Sequence, residues 1–312
     1  MPINISTSAA VFRWHPACWL RVSGEDAASF LQGQFTNDLR LLTVVGAVGR
    51  EAAGAVYGLW LNLKGKVLAD SFVVRGAAAN EFWIGSYFSP AAVIRARLEG
   101  HIIADDVTIE DMTDDWAALS VVGDGTESWM RGNVVQGAPS FSFRGRRDLA
   151  ENVELIFPIS AGEPAWVAGS GLALRAVDVE AMELRRIAAG IPAIPADVGP
   201  ADLPNEAGLE AAAISYTKGC YLGQEVMARL KSMGQVRRRL LRVRCDAEVL
   251  PKLPAAIFSG ARQVGELRSA VRDATGGWIG LAMLSLLQLT PGVALAFEAN
   301  GPAAIRLTGD TP

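Results

Sequence analysis

A chain of 312 residues is too long for one ordinary core, and with half of its residues hydrophobic it can fill two or three. Its net charge of -4 supplies no overall basic field, which argues against direct nucleic-acid binding and against attraction to anionic membranes. The three cysteines, Cys18, Cys220 and Cys245, are widely spaced without a Cys-x-x-Cys pair, and the two histidines, His15 and His101, are far apart. No metal site, disulfide framework or Ser-His-Asp hydrolase is therefore expected.

Residues 1–14 hold one Arg and no apolar signal core, and no later stretch approaches about 18 uninterrupted apolar residues, so a soluble cytoplasmic protein is expected. Cys18, Leu20 and Val22 alternate as in a half-buried strand. Ser23-Gly24-Glu25-Asp26 then reads as the Ser-x-x-Asp start of a short helix with Ala27, Phe30 and Leu31 on one face and Gly33 at its end. The following run Gln32 to Asp38 is rich in side-chain amides and short polar groups, as either a solvated turn or a functional loop would be. Residues 55–63, 67–74 and 82–84 predict an antiparallel meander, with Lys64-Gly65-Lys66 as a tight turn. Asp70 interrupts an apolar strand, where a carboxylate is costly unless it is paired or faces a cavity, so it is either a structural or a site residue.

Ser89-Pro90 opens a helix that Gly100 closes, and residues 102–109 return to strand. Residues 116–122, 153–157 and 166–168 are further strand candidates, and Asp178 caps a helix over 179–189 that Gly190 and Pro192 end. Gly123-Asp124-Gly125 and Gly169-Ser170-Gly171 lack the third small residue of a dinucleotide loop, and no βαβ repeat accompanies them, so a Rossmann domain is not expected. Residues 191–217 read as an extended connection. Beyond Gly234, residues 240–245, 256–259, 265–271, 278–282 and 294–298 give short, evenly spaced strands, as in a small barrel or sandwich. Arg229, Lys231, Arg237, Arg238 and Arg239 form the strongest basic cluster, either a solvated strand end or a docking patch.

The segment Lys218 to Arg229 concentrates the most chemistry. Cys220 lies between glycines, beside a lysine and ahead of a helical pattern, where the first unpaired N–H groups, the helix dipole and an ammonium all favour a thiolate. The alternative is one more buried, inert cysteine. Glu225 and Arg229 are spaced i,i+4, which suits an ion pair.

The run Lys218-Gly219-Cys220-Tyr221-Leu222-Gly223-Gln224-Glu225 closely resembles the signature of the YgfZ family, folate-binding relatives of the glycine-cleavage T-protein whose eukaryotic counterparts act in mitochondrial iron–sulfur assembly. Gly24 to Asp38, Lys64-Gly65-Lys66 and Arg186-Ile187-Ala188-Ala189-Gly190-Ile191-Pro192 are similar to other parts of the family pattern. The resemblance implies an α+β, GcvT-like three-domain ring: a discontinuous folate-binding domain over 1–48 and 115–232, a ferredoxin-like domain over 49–114, and a C-terminal antiparallel β-barrel over 233–312. It implies a folate, tetrahydrofolate or another, in the central hole and a monomeric accessory protein for iron–sulfur clients, among them radical enzymes that modify tRNA. Carried over, Cys220 and Lys218 are the reactive pair; Gly219, Tyr221, Gly223, Gln224 and Glu225 match the motif, and Arg229 extends it. Asp70, Lys218, Tyr221, Asn37 and Asp38 become the expected folate contacts. The chain departs from relatives at Ala188, where many carry Glu, and from the T-protein at Cys220, which that protein lacks. The second reading is a tetrahydrofolate-dependent aminomethyltransferase or demethylase-like one-carbon enzyme, with Asp70 orienting or deprotonating an amine.

Overall fold

The computed structural model describes residues 9–42, 54–127, 140–164, 174–246, 248–289 and 294–308; the strand expected at 166–168 lies outside them. Three five-stranded sheets organise the chain in an α+β architecture. The first has the order β10-β1-β7-β9-β8, from β1 (Ala10–Trp14), β7 (Trp116–Val122), β8 (Phe141–Arg144), β9 (Asn152–Pro158) and β10 (Arg175–Ala176). The second has the order β3-β4-β5-β2-β6, from β2 (Cys18–Ser23), β3 (Val56–Leu61), β4 (Val67–Arg75), β5 (Glu81–Ser86) and β6 (Thr108–Asp111). Helices α1 (Ala27–Gln34) and α2 (Ala91–Glu99) cover one of its faces. The residues of β2 and α1 fall within the expected 1–48 segment, yet β2 pairs with β5 and β6, because the 56–86 meander leaves the free edge of β5 to be completed by it.

The third sheet has the order β12-β13-β14-β11-β15, from β11 (Arg238–Cys245), β12 (Ala255–Ser259), β13 (Arg262–Arg272), β14 (Trp278–Ser285) and β15 (Ile305–Leu307). The strand expected at 294–298 is reduced to two isolated bridges, Leu295 to Ile305 and Phe258 to Ala296. Those bridges join the two edge strands, β15 and β12, which closes the sheet and hides its edges.

Strand β2 is buried on both faces rather than one. Cys18, Leu20 and Val22 pack with α1 and α2, while Trp19 on the opposite face joins Trp83, Trp116 and Phe141 between the first two sheets. The same alternation on β4 turns Ala69 and Val73 toward the helices and Phe72 and Val74 toward the first sheet; Asp70 shares the parity of the latter pair. Residues 102–107 are turn rather than strand. Asp106 is drawn instead to the entry of α1, where its Oδ2 accepts from Glu25 N and its N–H donates to Asp26, and pairing begins only at Thr108.

Helix α3 (Val179–Ala188) starts as expected, with the Asp178 side chain accepting from Ala181 N. It packs Met182 against Phe12 and Val122 of the first sheet and Ile187 against Val271 and Leu281 of the barrel. Two short helices, α4 (Glu210–Ala213) and α5 (Gln224–Met233), complete the described structure. No helix among the described residues is long and apolar enough to cross a membrane.

Candidate functional site

Two places in the fold carry chemistry, a cavity between the first two sheets and the turn that leads into α5. The cavity is lined by Tyr57, Asp70, Tyr87, Phe88, Arg146, Arg147, Arg186, Ile191 and Pro192, and its volume is ≈ 10 Å³, about what one water needs.

Asp70 reaches the cavity because of its parity on β4, and it is only 5% exposed. Tyr57, diagonal to it on β3, donates from Oη to Asp70 Oδ2 at 2.9 Å, while Ser86 Oγ and Ser89 Oγ donate to Oδ1 at 3.0 and 2.7 Å. Burial pushes the Asp70 carboxyl upward from the ordinary carboxylate range, against the pull of these three hydroxyls and of the Arg146 charge. The group is thus a hydrogen-bond acceptor at the edge of a small space lined by aromatic rings and arginines.

Across the cavity a second buried carboxylate, Glu154, accepts from Tyr87 Oη at 2.7 Å, Ser120 Oγ at 2.5 Å and Asn152 Nδ2 at 3.0 Å. Arg147 Nε lies 4.0 Å from it and donates to Ser120 Oγ at 2.7 Å. The Arg147 guanidinium also sits 4.1 Å from the centre of the Tyr87 ring and 4.5 Å from that of Trp14. Arg186 is tied to Asp197 at 2.6 Å and to Ile191 O at 2.8 Å. Arg146 lies over the Tyr57 ring, 3.9 Å from its centre, and its Nη1 is buried without a hydrogen-bond partner.

An acceptor carboxylate beside a tyrosine face suits a flat heterocycle that carries N–H donors, which is the chemistry of a pterin. The residues therefore fit the folate that the family resemblance implies, although the space between them does not admit its ring while Arg146 stays in place. Among the described residues, no group of three or more His, Cys, Asp or Glu side chains is placed to hold a metal.

The second place is the cysteine turn. Cys220 is exposed, whereas Cys18 and Cys245 are buried. Burial pushes the Cys245 thiol up to about 12 and the Cys18 thiol higher still. Gly223 precedes α5 at φ +86°, and a Cβ there would lie 2.9 Å from Asn62 O and 3.4 Å from Gly65 Cα; Gly65, at φ +69°, meets Val226 in return. The Lys64-Gly65-Lys66 turn and the motif turn thus pack glycine against glycine, which no side chain at either position would allow.

Lys218 does not turn its ammonium to the thiol. Its Nζ donates to the carbonyls of Gln32, Phe35 and Asn37 at 2.6, 2.6 and 3.0 Å, and these use its three donors. Burial lowers its pKa from 10.5 to about 8. The partner of Cys220 is instead Gln224, whose Nε2 lies 3.8 Å from Sγ and whose Oε1 accepts from Tyr221 N at 3.0 Å. Gly219 has open space around it, and Tyr221 is buried in the core under the turn. Glu225 and Arg229, both exposed, form no ion pair within 4 Å; held in water, such a pair is worth too little to fix two long side chains.

Of the five expected folate contacts, Asp70 alone lines the cavity. Lys218, Tyr221, Asn37 and Asp38 belong to the clasp between the motif and the 32–38 loop. Asp38 is held well below the usual carboxylate range, chiefly by hydrogen bonds from Arg40. Asn37 does touch the site's frame, since its Nδ2 donates to Tyr57 O at 2.8 Å. Tyr57, Tyr87, Phe88, Arg146 and Arg147 escaped sequence reasoning. The adjacent arginines 146 and 147 were the available signal, whereas nothing in the periodicity separates Tyr57 or Tyr87 from ordinary core aromatics.

Residues 4–144 match the family model of the GCVT N-terminal domain. The chain is 31% identical over 290 residues to the human iron-sulfur cluster assembly factor IBA57, mitochondrial, covering 88% of this chain and 77% of that protein. It is also 31% identical over 288 residues to the tRNA-modifying protein YgfZ of Edwardsiella ictaluri, covering 87% and 82%. The solved glycine cleavage system aminomethyltransferase T from Bartonella henselae shares the fold, with a TM-score of 0.75 at 17% identity over 97% of this chain and 86% of that one. With its three sheets, its closed C-terminal barrel and its likeness to both named relatives over most of its length, the chain belongs to the GcvT-like family that includes IBA57 and YgfZ.

Proposed function

We propose that this chain is a folate-binding accessory protein for the assembly or repair of iron–sulfur proteins, radical tRNA-modifying enzymes among them, and that it acts through Cys220 as a cytoplasmic monomer. The observation that carries the reading is the exposure of Cys220 on a turn clamped by Lys218, in a chain whose other two cysteines are buried. The names of the human and Edwardsiella relatives support it from outside the chain. A single thiolate cannot hold a cluster that needs about four protein ligands, so Cys220 serves in transient contact, thiol transfer or redox exchange with a client.

When bound, a folate supplies a one-carbon acceptor or a pterin ring that reports folate status. This chain's own part is to accept pterin N–H groups at Asp70, offer the Tyr57 face for stacking and exclude water with Phe88 and Ile191. Complementation tests the reading. In a strain lacking its own relative of this protein, the wild-type chain restores the activity of a client iron–sulfur enzyme and Cys220→Ser does not; full restoration by Cys220→Ser would reject the role of the thiol.

A second reading, a tetrahydrofolate-dependent one-carbon transferase, is favoured by one observation: Asp70 is a buried carboxylate with a raised pKa facing a cavity, as a base that takes a proton from an amine would be. Turnover of an aminomethyl donor or an N-methyl amino acid with tetrahydrofolate would support it, and absence of product with a folate-binding protein would dismiss it.

A further inference from the structure

Three arginines line the cavity, and they are held in different ways. Arg147 is fixed by Ser120, by the Glu154 carboxylate and by the rings of Tyr87 and Trp14. Arg186 is fixed by Asp197, by Glu183 and by the carbonyl of Ile191. The Arg146 guanidinium has no ion pair within 4 Å among the described residues, and its Nη1 is buried without a partner. What holds it is the face of Tyr57 at 3.9 Å and the more distant attraction of Asp70. Its backbone, by contrast, is anchored, with Arg146 N donating to Tyr87 Oη at 3.0 Å.

We propose that Arg146 is an internal plug: its side chain occupies the face of Tyr57 where a planar ligand ring stacks, and its withdrawal is the step that opens the cavity. The inference rests on the folate reading for the identity of the ligand. Its own basis is steric and electrostatic. With Arg146 in place the cavity holds ≈ 10 Å³, far less than any heterocycle requires, while Tyr57, Asp70, Arg147 and Arg186 are each held by side-chain hydrogen bonds. Arg146 can yield, because a single cation–π contact is its main hold and the unpaired Nη1 gains a partner once it reaches water. A ring that replaces it keeps the stacking on Tyr57 and adds hydrogen bonds to Asp70, so ligand and guanidinium compete for one surface.

Stopped-flow tryptophan fluorescence with 5-formyl-tetrahydrofolate tests this on the full chain, comparing wild type, Arg146→Ala and Arg146→Lys, each shown folded by its thermal melt. For wild type the observed association rate should level off as ligand is raised, because plug withdrawal limits it. For Arg146→Ala it should rise linearly, with affinity about tenfold tighter, the equivalent of about 1.4 kcal/mol. Arg146→Lys, a poorer partner for a ring face, should lie between them. Weaker binding by Arg146→Ala with wild-type kinetics would overturn the plug and make Arg146 a ligand contact, leaving folate binding intact. Binding by neither wild type nor Arg146→Ala would overturn both the plug and the folate reading.

Discussion

The two sides of the cavity repeat one device and finish it differently. On each side a buried carboxylate takes a tyrosine hydroxyl and further side-chain donors, and an arginine lies on the tyrosine ring: Glu154, Tyr87 and Arg147 on one side, Asp70, Tyr57 and Arg146 on the other. The Glu154 side is closed. Its arginine bonds Ser120, approaches the carboxylate to 4.0 Å and rests among aromatic rings, although burial still raises the Glu154 carboxyl above the ordinary range as it does that of Asp70. The Asp70 side has three hydroxyls but no paired cation, and its arginine ends in an unpartnered nitrogen. A satisfied buried network rigidifies a fold, whereas an unsatisfied buried group calls for its own explanation, which here is the proposed ligand. The first side reads as scaffold, and the second carries the proposed site.

Substitutions should separate the two sides by kind as well as by size. The largest stability effect belongs to Glu154→Ala, which leaves the Arg147 charge buried without its counter-ion; a loss of about 3–5 kcal/mol is expected. A thermal midpoint about 10 °C lower, read by calorimetry or circular dichroism, would be its signature. Asp70→Asn should do the reverse, abolishing folate binding while leaving the midpoint unchanged or raised. The sign follows from burial: the folded protein holds the Asp70 proton to higher pH than the unfolded chain does, so the ionised carboxylate detracts from stability as pH rises above 3.8, and an uncharged side chain escapes that loss. A destabilised Asp70→Asn protein would show that this side is scaffold too.

A smaller effect is expected at the cysteine turn. The Lys218 ammonium releases its proton at about pH 8 in the folded chain and at about 10.5 when unfolded, so the unfolded chain binds more protons between these values and stability should rise with pH across that window. Acylation of Lys218, followed by mass spectrometry, should accordingly show a midpoint near 8. Smallest of all is Cys220→Ser, which should leave the thermal midpoint within the range of a surface substitution, roughly 0.5 kcal/mol, while removing the one thiol that reacts in the native state. A thiol reagent should therefore titrate one cysteine per folded chain and three after unfolding, since Cys18 and Cys245 are buried.

Much of the fold was legible along the chain, and the misses have local causes. The meander of β3, β4 and β5 and the strand β7 could be read from apolar alternation and turn residues, and the barrel strands from their spacing. Residues 102–107 misled because Ile102, Ile103 and Val107 look like a strand, but Asp105 and Asp106 hold a turn and Ile103 is 93% exposed. Asp70 could be singled out because a carboxylate is conspicuous in an apolar strand. Its cavity could not, because Arg146 and Arg147 follow β8 of the other sheet and meet Asp70 only when the first two sheets pack.

Although the exposure that sets Cys220 apart from Cys18 and Cys245 is a property of the fold, the sequence by itself determined that Cys220 stands in a glycine-rich turn beside a lysine, that Gly65 stands at a turn, and that the family is one of folate-binding relatives of the T-protein. Local chemistry suffices for such statements, since a turn or a helix entry is defined by a few neighbouring residues. Only the tertiary structure decided what the charged groups face. Lys218, read as the activator of the cysteine, spends its three donors on the carbonyls of the 32–38 loop, and Arg146, unremarked in the sequence, lies on Tyr57 beside Asp70. A side chain's type is written in the chain, but its partners are chosen by the packing of sheets whose strands lie up to a hundred residues or more apart.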